Sequence, residues 1–310
     1  MGFSEALIGG LRLLNRNWQL VLIHLVMIVI NCISFVFIVI LPLFVLALAL
    51  GLGPSILQQI HGPQDLFSLA PGIILSSIAL FLVYIAFVTL LGLYVFCGSA
   101  GVLSKSTIDT ESRFSLREFF SEGKRLFFPF LSYSALIGLI VILVVFLFAL
   151  LFFILPVTAS VLKGVGDLTS SVFASLLAIV LFFFFMIVIL GIMSLTLYGM
   201  ARIIFRGRGA FATLKDVVNY LMRTPQAFAV FVIASLIYLI VNILVFLIGV
   251  PLHIAPGMGS LLSMPFQILY YAFQSYSGLW ILSVILLYYY KTEIEQPEVL
   301  DTEGTVINEE

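Results

Sequence analysis

The chain has 310 residues, of which 63% are hydrophobic and 9% charged, and its formal net charge is -1. A water-soluble domain needs about 25% charged residues to cover its surface, so this composition excludes a soluble globular protein. No basic cluster with interleaved aromatic residues occurs in the sequence, and nucleic acid is therefore not an expected partner. Cys32 and Cys97 both fall in apolar runs, where we expect small packing residues rather than a disulfide or a metal pair.

Six long apolar runs follow one another along the chain. Each exceeds the roughly 20 residues that cross a hydrocarbon core about 30 Å thick. Lipid forces such runs to be helical, because backbone polar groups must be satisfied within the segment. The sequence therefore predicts an all-α membrane protein with six transmembrane helices, at about residues 19–50, 72–103, 128–156, 171–205, 226–250 and 262–290. Pro42 and Pro156 lie near the outer ends of the first and third runs, where a kink or a stop is expected.

The basic residues predict the orientation of these helices. If the helices alternate in direction, all 14 lysines and arginines except Lys163 fall on one side. Basic residues remain in the cytoplasm, so both termini are predicted to be cytoplasmic, in a bacterial inner membrane. We expect residues 1–291 to form a single membrane domain. Residues 292–310 are rich in acids and predict a disordered cytoplasmic tail.

A short amphipathic segment occurs three times, each time directly before an outward run. The three copies are GFSEALIGGLR at 2–12, SLREFFSEGKR at 115–125 and TLKDVVNYLMR at 213–223. Apolar residues recur in them with the i, i+3, i+4, i+7 spacing of an amphipathic helix. The sequence therefore predicts three transmembrane hairpins, each preceded by an amphipathic helix in the cytoplasmic interface. These form a three-fold internal repeat with units at about 1–103, 104–205 and 206–291.

The starts of two of these segments have the spacing of a capping box. Ser115 precedes Glu118, and Thr213 precedes Asp216, by three residues. In a capping box the hydroxyl and the acid each bond a backbone N–H in the first helical turn. Both segments are therefore predicted to begin their helices at these hydroxyl residues.

All three segments place an acid seven residues before an arginine: Glu5 and Arg12, Glu118 and Arg125, and Asp216 and Arg223. Seven residues are about two helical turns, so each pair falls on one face. In one interpretation the helices lie in the interface and their bases face lipid phosphates. In a second, the three pairs meet centrally and form a polar plate, a gate or a docking face. In a third, only two of the copies are true repeats.

Two regions carry a family resemblance. These are LYGMARIIFRGRG, Leu197 to Gly209, which runs into TLKDVVNYLMRTPQAF, and the parallel stretch SLREFFSEGKRLFFPF. The pattern, which covers most of residues 1–291, resembles the YciC-like bacterial six-span proteins. It also resembles the membrane domain that precedes the catalytic barrel in some bacterial glycerophosphodiester phosphodiesterases. The resemblance implies a six-span architecture. It implies no phosphodiesterase chemistry, since the membrane domain of that family holds none and this chain has too few acids and histidines to build such an active site.

Polar residues inside the apolar runs are few. Asn31 and Asn242 lie deep in the first and fifth runs, and Gln267 lies in the sixth. Their ordinary use is hydrogen bonding between helices, and the alternative is a substrate pathway. His61 and His253 fall in predicted outer loops without a ligand cluster. With no catalytic motif present, we expect no enzyme activity, cofactor or metal.

Two classes of function fit this pattern. The first is a non-catalytic integral membrane protein that binds phospholipid through its cytoplasmic amphipathic helices. In the same role it would serve as a subunit or scaffold for a membrane partner or a second copy of itself. The alternative is a small-solute or lipid transporter with a cavity between the three hairpins, as polar groups at the midplane would favour.

Overall fold

The computed structural model describes residues 1–49, 71–109, 111–162, 167–207, 209–254 and 259–295. All regular elements within these ranges are helical, which confirms the predicted all-α class. The α-helices, numbered in chain order, are α1 (Phe3–Arg16), α2 (Gln19–Phe35), α3 (Leu41–Ala49), α4 (Pro71–Ile108), α5 (Leu116–Leu162), α6 (Asp167–Arg206), α7 (Ala210–Arg223), α8 (Pro225–Ile254) and α9 (Gly259–Tyr289).

Within the described ranges, six helical stretches are long and apolar enough to cross a membrane, and the chain is a multi-pass membrane protein. We call them spans 1 to 6: Gln19–Ala49, Ile74–Ile108, Leu116–Ile154, Ser175–Arg206, Pro225–Gly249 and Pro265–Ile294. Several exceed the predicted bounds because helices do not stop where the lipid stops. The 47 residues of α5 span about 70 Å at 1.5 Å per residue, more than twice the thickness of a bilayer core.

The two prolines expected to kink or stop the helices differ in effect. Span 1 contains a π-helical turn at Val36–Ile40, in which the Leu41 N–H bonds the Val36 carbonyl. The turn ends two residues before Pro42, whose missing N–H removes a helical hydrogen bond. Local π turns accommodate such interruptions. Of the kink or stop expected at Pro156, the stop does not occur, since α5 continues through this residue to Leu162.

The three amphipathic segments differ in how they join their spans. The first and third are separate helices, α1 and α7. The second forms the opening turns of α5 and runs into span 3 without a break, so the predicted separate helix is wrong there. The reason lies in the residues that follow. Asn17 leaves the helical conformation after α1, and Thr224 does so before Pro225, which begins α8. Proline disfavours helix for the residue before it and suits the first helical position.

The predicted capping positions are correct for one segment only. Ser115 directly precedes α5, and its carbonyl accepts the N–H of Phe119 at 2.9 Å. Thr213 lies inside α7 instead and is fully buried. Gly207 has φ +62°, a left-handed conformation that glycine adopts freely, and it turns the chain so that α7 begins three residues before Thr213.

The second and third amphipathic segments pack against the span that precedes them in the chain, and the first packs against the last span. Helix α1 packs on α9, the start of α5 packs on α4, and α7 packs on α6. Glycines allow two of these close approaches. A Cβ atom at Gly10 would lie 2.5 Å from Cγ2 of Val284, and one at Gly98 would lie 2.8 Å from Cε2 of Phe119. Small residues at helix crossings in membranes let backbones approach in this way.

Helix α9 is the central element, because it contacts α1, α2, α4, α6 and α8. Its last turns are buried, with Ser283, Val284 and Tyr289 fully covered. Far from this end, large side chains such as Leu143 and Phe153 are exposed on the outside of the spans. The protein core therefore sits at one end of the bundle, and the other halves of the spans present apolar side chains to lipid.

Residues Tyr290–Ile294 form a π-helical turn that continues α9, so the chain is helical for three residues beyond the predicted start of the tail. The tail after Glu295, His61, Lys163 and the side chain of His253 lie outside the described residues.

Candidate functional site

The end of the bundle that carries α1, α7 and the turn at Tyr290–Ile294 is rich in basic side chains, and we call it the base-rich end. Its elements are joined by polar contacts. Arg16 on α1 donates to the carbonyl of Ser106 at the end of α4. The Tyr276 hydroxyl donates to Asn15 Oδ1 at 2.6 Å, and Arg206 donates to the Glu293 carbonyl at 3.0 Å.

A first ion cluster joins α4 to the start of α5. Lys105 Nζ lies 3.0 Å from Glu122 Oε1 and 3.9 Å from Glu118 Oε1. Arg125 Nη2 lies 2.6 Å from Glu122 Oε2. Glu122 is buried against Gly101, where a side chain would displace it. Glu118 and Arg125 were singled out from the sequence, and the structure places the unpredicted Glu122 between them as the central acid.

A second ion cluster joins α6, α7 and the turn after α9. Arg202 is only 6% exposed. Its Nη2 lies 2.6 Å from Asp216 Oδ2, and its Nη1 lies 3.3 Å from Glu293 Oε1 and 3.1 Å from the Tyr289 hydroxyl. Arg206 Nη2 also lies 3.1 Å from Glu293 Oε1. Asp216 was predicted as a site residue, and Arg202, its buried partner, was not.

The first amphipathic segment has a different arrangement. Glu5 Oε2 accepts the N–H of Gly2 at 3.4 Å and so caps the start of α1. Arg12 is exposed. Helix α1 is held instead by Trp280, whose Nε1 donates to the Leu7 carbonyl at 3.2 Å. Glu118 thus lies in the first ion cluster, Asp216 lies in the second, and Glu5 lies at the start of α1.

Helix α7 has apolar residues on two opposite faces. Its inner face carries Thr213, Val217 and Tyr220, all buried. Its outer face carries Phe211 and Met222, which are 77% and 78% exposed. These two positions are 11 residues apart, about three full turns, so they lie on one side of the helix. Water is a poor solvent for that outer face, and the acyl region of a membrane interface suits it.

The polar residues predicted inside the spans lie in different surroundings. The backbone carbonyl of Asn31 accepts the Tyr84 hydroxyl at 3.4 Å. Asn242 is buried, and its Nδ2 donates to the Tyr238 carbonyl at 2.8 Å and to Ser277 Oγ on α9 at 3.4 Å. Gln267 is exposed on the outside of span 6. Both cysteines are free thiols, Cys97 buried and Cys32 exposed.

Comparison of the chain with protein-family models, with curated proteins and with solved structures gives no match. The resemblance to YciC-like proteins therefore stays a prediction from the sequence pattern.

Proposed function

We propose that this protein is a non-catalytic membrane protein of the bacterial inner membrane that binds anionic phospholipid through its base-rich end. In this proposal the base-rich end is cytoplasmic, and α1, the start of α5 and α7 are interfacial helices. The observation that carries the proposal is the outer face of α7. There, Phe211 and Met222 stand exposed beside the exposed bases Lys215 and Arg223. Apolar side chains next to bases are the combination that binds an anionic membrane surface.

The three-fold repeat is part of the same proposal and is supported by the packing. Each unit has an outward span followed by a second span that returns to the base-rich end. The amphipathic segment of each unit packs on the returning span of another unit: α1 on α9, α5 on α4 and α7 on α6. Two of these contacts carry equivalent ion pairs, in which a base near the end of the returning span meets an acid of the segment. They are Lys105 with Glu118 and Arg202 with Asp216. Such a ring of units would present three basic helices to one leaflet.

The proposal is tested by native mass spectrometry on full-length protein extracted gently from its own membrane. We expect anionic phospholipid to be retained in preference to zwitterionic phospholipid. Arg12→Gln combined with Lys215→Gln, two exposed bases outside the ion clusters, should weaken retention roughly thirtyfold, since each base near an anionic surface contributes about 1 kcal/mol. Lys163→Gln, at the predicted opposite end, is the matched control. Equal retention of both lipid classes by the wild-type protein would sink the proposal. A stoichiometric protein partner in place of lipid would favour the scaffold.

A lipid transporter is the second candidate, and one groove favours it. An apolar groove of about 190 Å³ lies between α1, α8 and α9 and is lined by residues that include Val241, Phe273 and Ser277. Its volume suits part of an acyl chain rather than a complete lipid. Ser277 is also the partner of the buried Asn242, so a polar pair adjoins an apolar groove. A vesicle assay with fluorescent phospholipid in both leaflets would separate the two candidates. Loss of the inner-leaflet signal after an outer-leaflet quencher is added would support transport.

A further inference from the structure

A polar pocket of about 270 Å³ lies where α7 meets α6 and the turn after α9. Three arginines line it, Arg202, Arg206 and Arg223, together with two acids, Asp216 and Glu293. The other lining residues are hydrogen-bonding side chains: Asn219, Tyr220, Thr224 and Thr292. The volume suits a small polar group rather than a complete lipid or a drug-sized ligand, which needs about 300–1,000 Å³.

The charges in this pocket do not balance. Asp216 and Glu293 are bound by Arg202 and Arg206 at 2.6 to 3.3 Å. Three arginines against two acids leave one positive charge in excess, and it sits on Arg223. Within the described ranges no carboxylate forms an ion pair with Arg223. An arginine without a carboxylate partner among the described residues, beside hydrogen-bonding side chains, suits one anionic, oxygen-rich partner.

The pocket's neutral donors suit such a partner. Two of these side chains are engaged with each other: the Tyr220 hydroxyl donates to Thr292 Oγ1 at 2.9 Å, and the Thr292 hydroxyl donates to the Tyr288 carbonyl at 2.8 Å. Asn219 and Thr224 add an amide and a hydroxyl at the mouth. Arginine forks with hydroxyl and amide donors are the usual contacts of a phosphate group.

The position of the pocket on α7 connects it to the lipid-facing side. Successive residues of a helix are about 100° apart. Asn219 and Arg223 each follow a residue of the outer face, Val218 and Met222, by one position. They therefore lie about a quarter turn round the helix, between the exposed apolar face and the buried one. A phospholipid whose acyl chains lie along the outer face would bring its phosphate to the mouth of the pocket.

We infer that this pocket binds the phosphate group of an anionic phospholipid headgroup, with Arg223 as the principal contact. The inference rests on the proposed function and gives it a specific site. Arg202 and Arg206 are positioning residues, held by Asp216 and Glu293 so that the pocket stays open. Arg223, on α7, contacts the phosphate directly.

The test compares Arg223→Gln with Lys215→Gln. Both substitutions remove one exposed positive charge from α7, but only Arg223 lines the pocket. Full-length protein in detergent is loaded with phosphatidylglycerol and phosphatidylcholine, and retained lipid is counted by native mass spectrometry. The count is repeated in about 1 M ammonium acetate, where the Debye length is about 3 Å and surface attraction is screened. We expect Arg223→Gln to lose phosphatidylglycerol about tenfold at both salt concentrations. Lys215→Gln should match the wild type at high salt.

Several results would overturn the inference. If the two variants lose lipid equally at high salt, the pocket is not the site, although the proposed function stands. If the wild-type protein shows no preference for phosphatidylglycerol, the proposed function itself fails. Inorganic phosphate, titrated against lipid-free protein in a thermal-shift assay, separates the two sources of phosphate. If inorganic phosphate binds only when Arg223 is present, and no phosphatidylglycerol is retained, the ligand is free phosphate and the inference of a lipid headgroup is overturned. Competition of phosphate with retained phosphatidylglycerol would support it.

Discussion

Arg202, in the last turns of α6, and Asp216, on α7, form a 2.6 Å ion pair at the base-rich end. The arginine is nearly fully buried, and it also contacts Glu293 and Tyr289. One side chain thus ties span 4 to α7 and to the end of span 6. The second ion cluster therefore holds these three elements together, and it also lines the polar pocket between them.

Replacing Arg202 with Gln should be strongly destabilising, because Asp216 and Glu293 then keep charges without their buried partner. Removal of one member of a buried pair typically costs about 3–5 kcal/mol. Asp216→Asn should cost less, since Arg202 retains Glu293. The double variant should cost less than the sum of the two single variants, because the residues share one network. The loss of stability of all three variants is measured by thermal unfolding in detergent. Strictly additive losses would show that Arg202 and Asp216 do not act as one network.

Gly10→Ala should destabilise the contact between α1 and α9. The added Cβ would lie 2.5 Å from Cγ2 of Val284 and 2.9 Å from its backbone nitrogen, which cannot move away freely. Overpacking of this kind costs about 1–3 kcal/mol. Gly92→Ala is the matched control, because nothing lies within 4 Å of a Cβ at that helical glycine. The control should be neutral or slightly stabilising. Equal melting temperatures for the two variants would show that α1 is not packed this closely.

The orientation proposed from the basic residues predicts a one-sided labelling pattern. Ser112→Cys, between α4 and α5, should react with a membrane-impermeant maleimide only from the cytoplasmic side. Gln58→Cys, in a predicted outer loop outside the described residues, should react only from the opposite side. Intact spheroplasts and inverted vesicles supply the two exposures. The reverse pattern would place the base-rich end outside the cell and remove the electrostatic basis of the proposed function.

Much of the fold could be predicted from the sequence, because lipid leaves a chain few choices. Apolar runs of about 20 residues or more must be helical in a membrane, so the number of spans follows from hydropathy. Hydropathy shows where the apolar stretch ends and does not show where the helix ends. For this reason the sequence predicts a separate helix for the second amphipathic segment, whereas the structure makes it the start of α5. The third segment is separate because Thr224 and Pro225 interrupt the helix after it, and the second segment has no such interruption.

The candidate site was only partly accessible from the sequence. The seven-residue spacing singled out Asp216 and Arg223, which do line one pocket. It passed over Glu122 and Arg202, the two charged residues that are buried in the part of the chain that the structure describes. Whether a charge is buried depends on which helix end lies opposite it, and that relationship spans distant parts of the chain. A local signal existed for Glu122, which lies one helical turn from both Glu118 and Arg125.

The measurement that tests the central claim most directly is fluorescence quenching at the outer face of α7. Phe211→Trp is reconstituted in nanodiscs that contain anionic lipid with brominated acyl chains, and the parent protein supplies the background from its own tryptophans. Glu111→Trp, in the exposed connection before α5, is the control. If the base-rich end lies in the lipid interface, the new tryptophan at 211 is strongly quenched and the one at 111 is not. Equal, weak quenching at both positions would mean that α7 stands in water or against a protein, and would contradict the account.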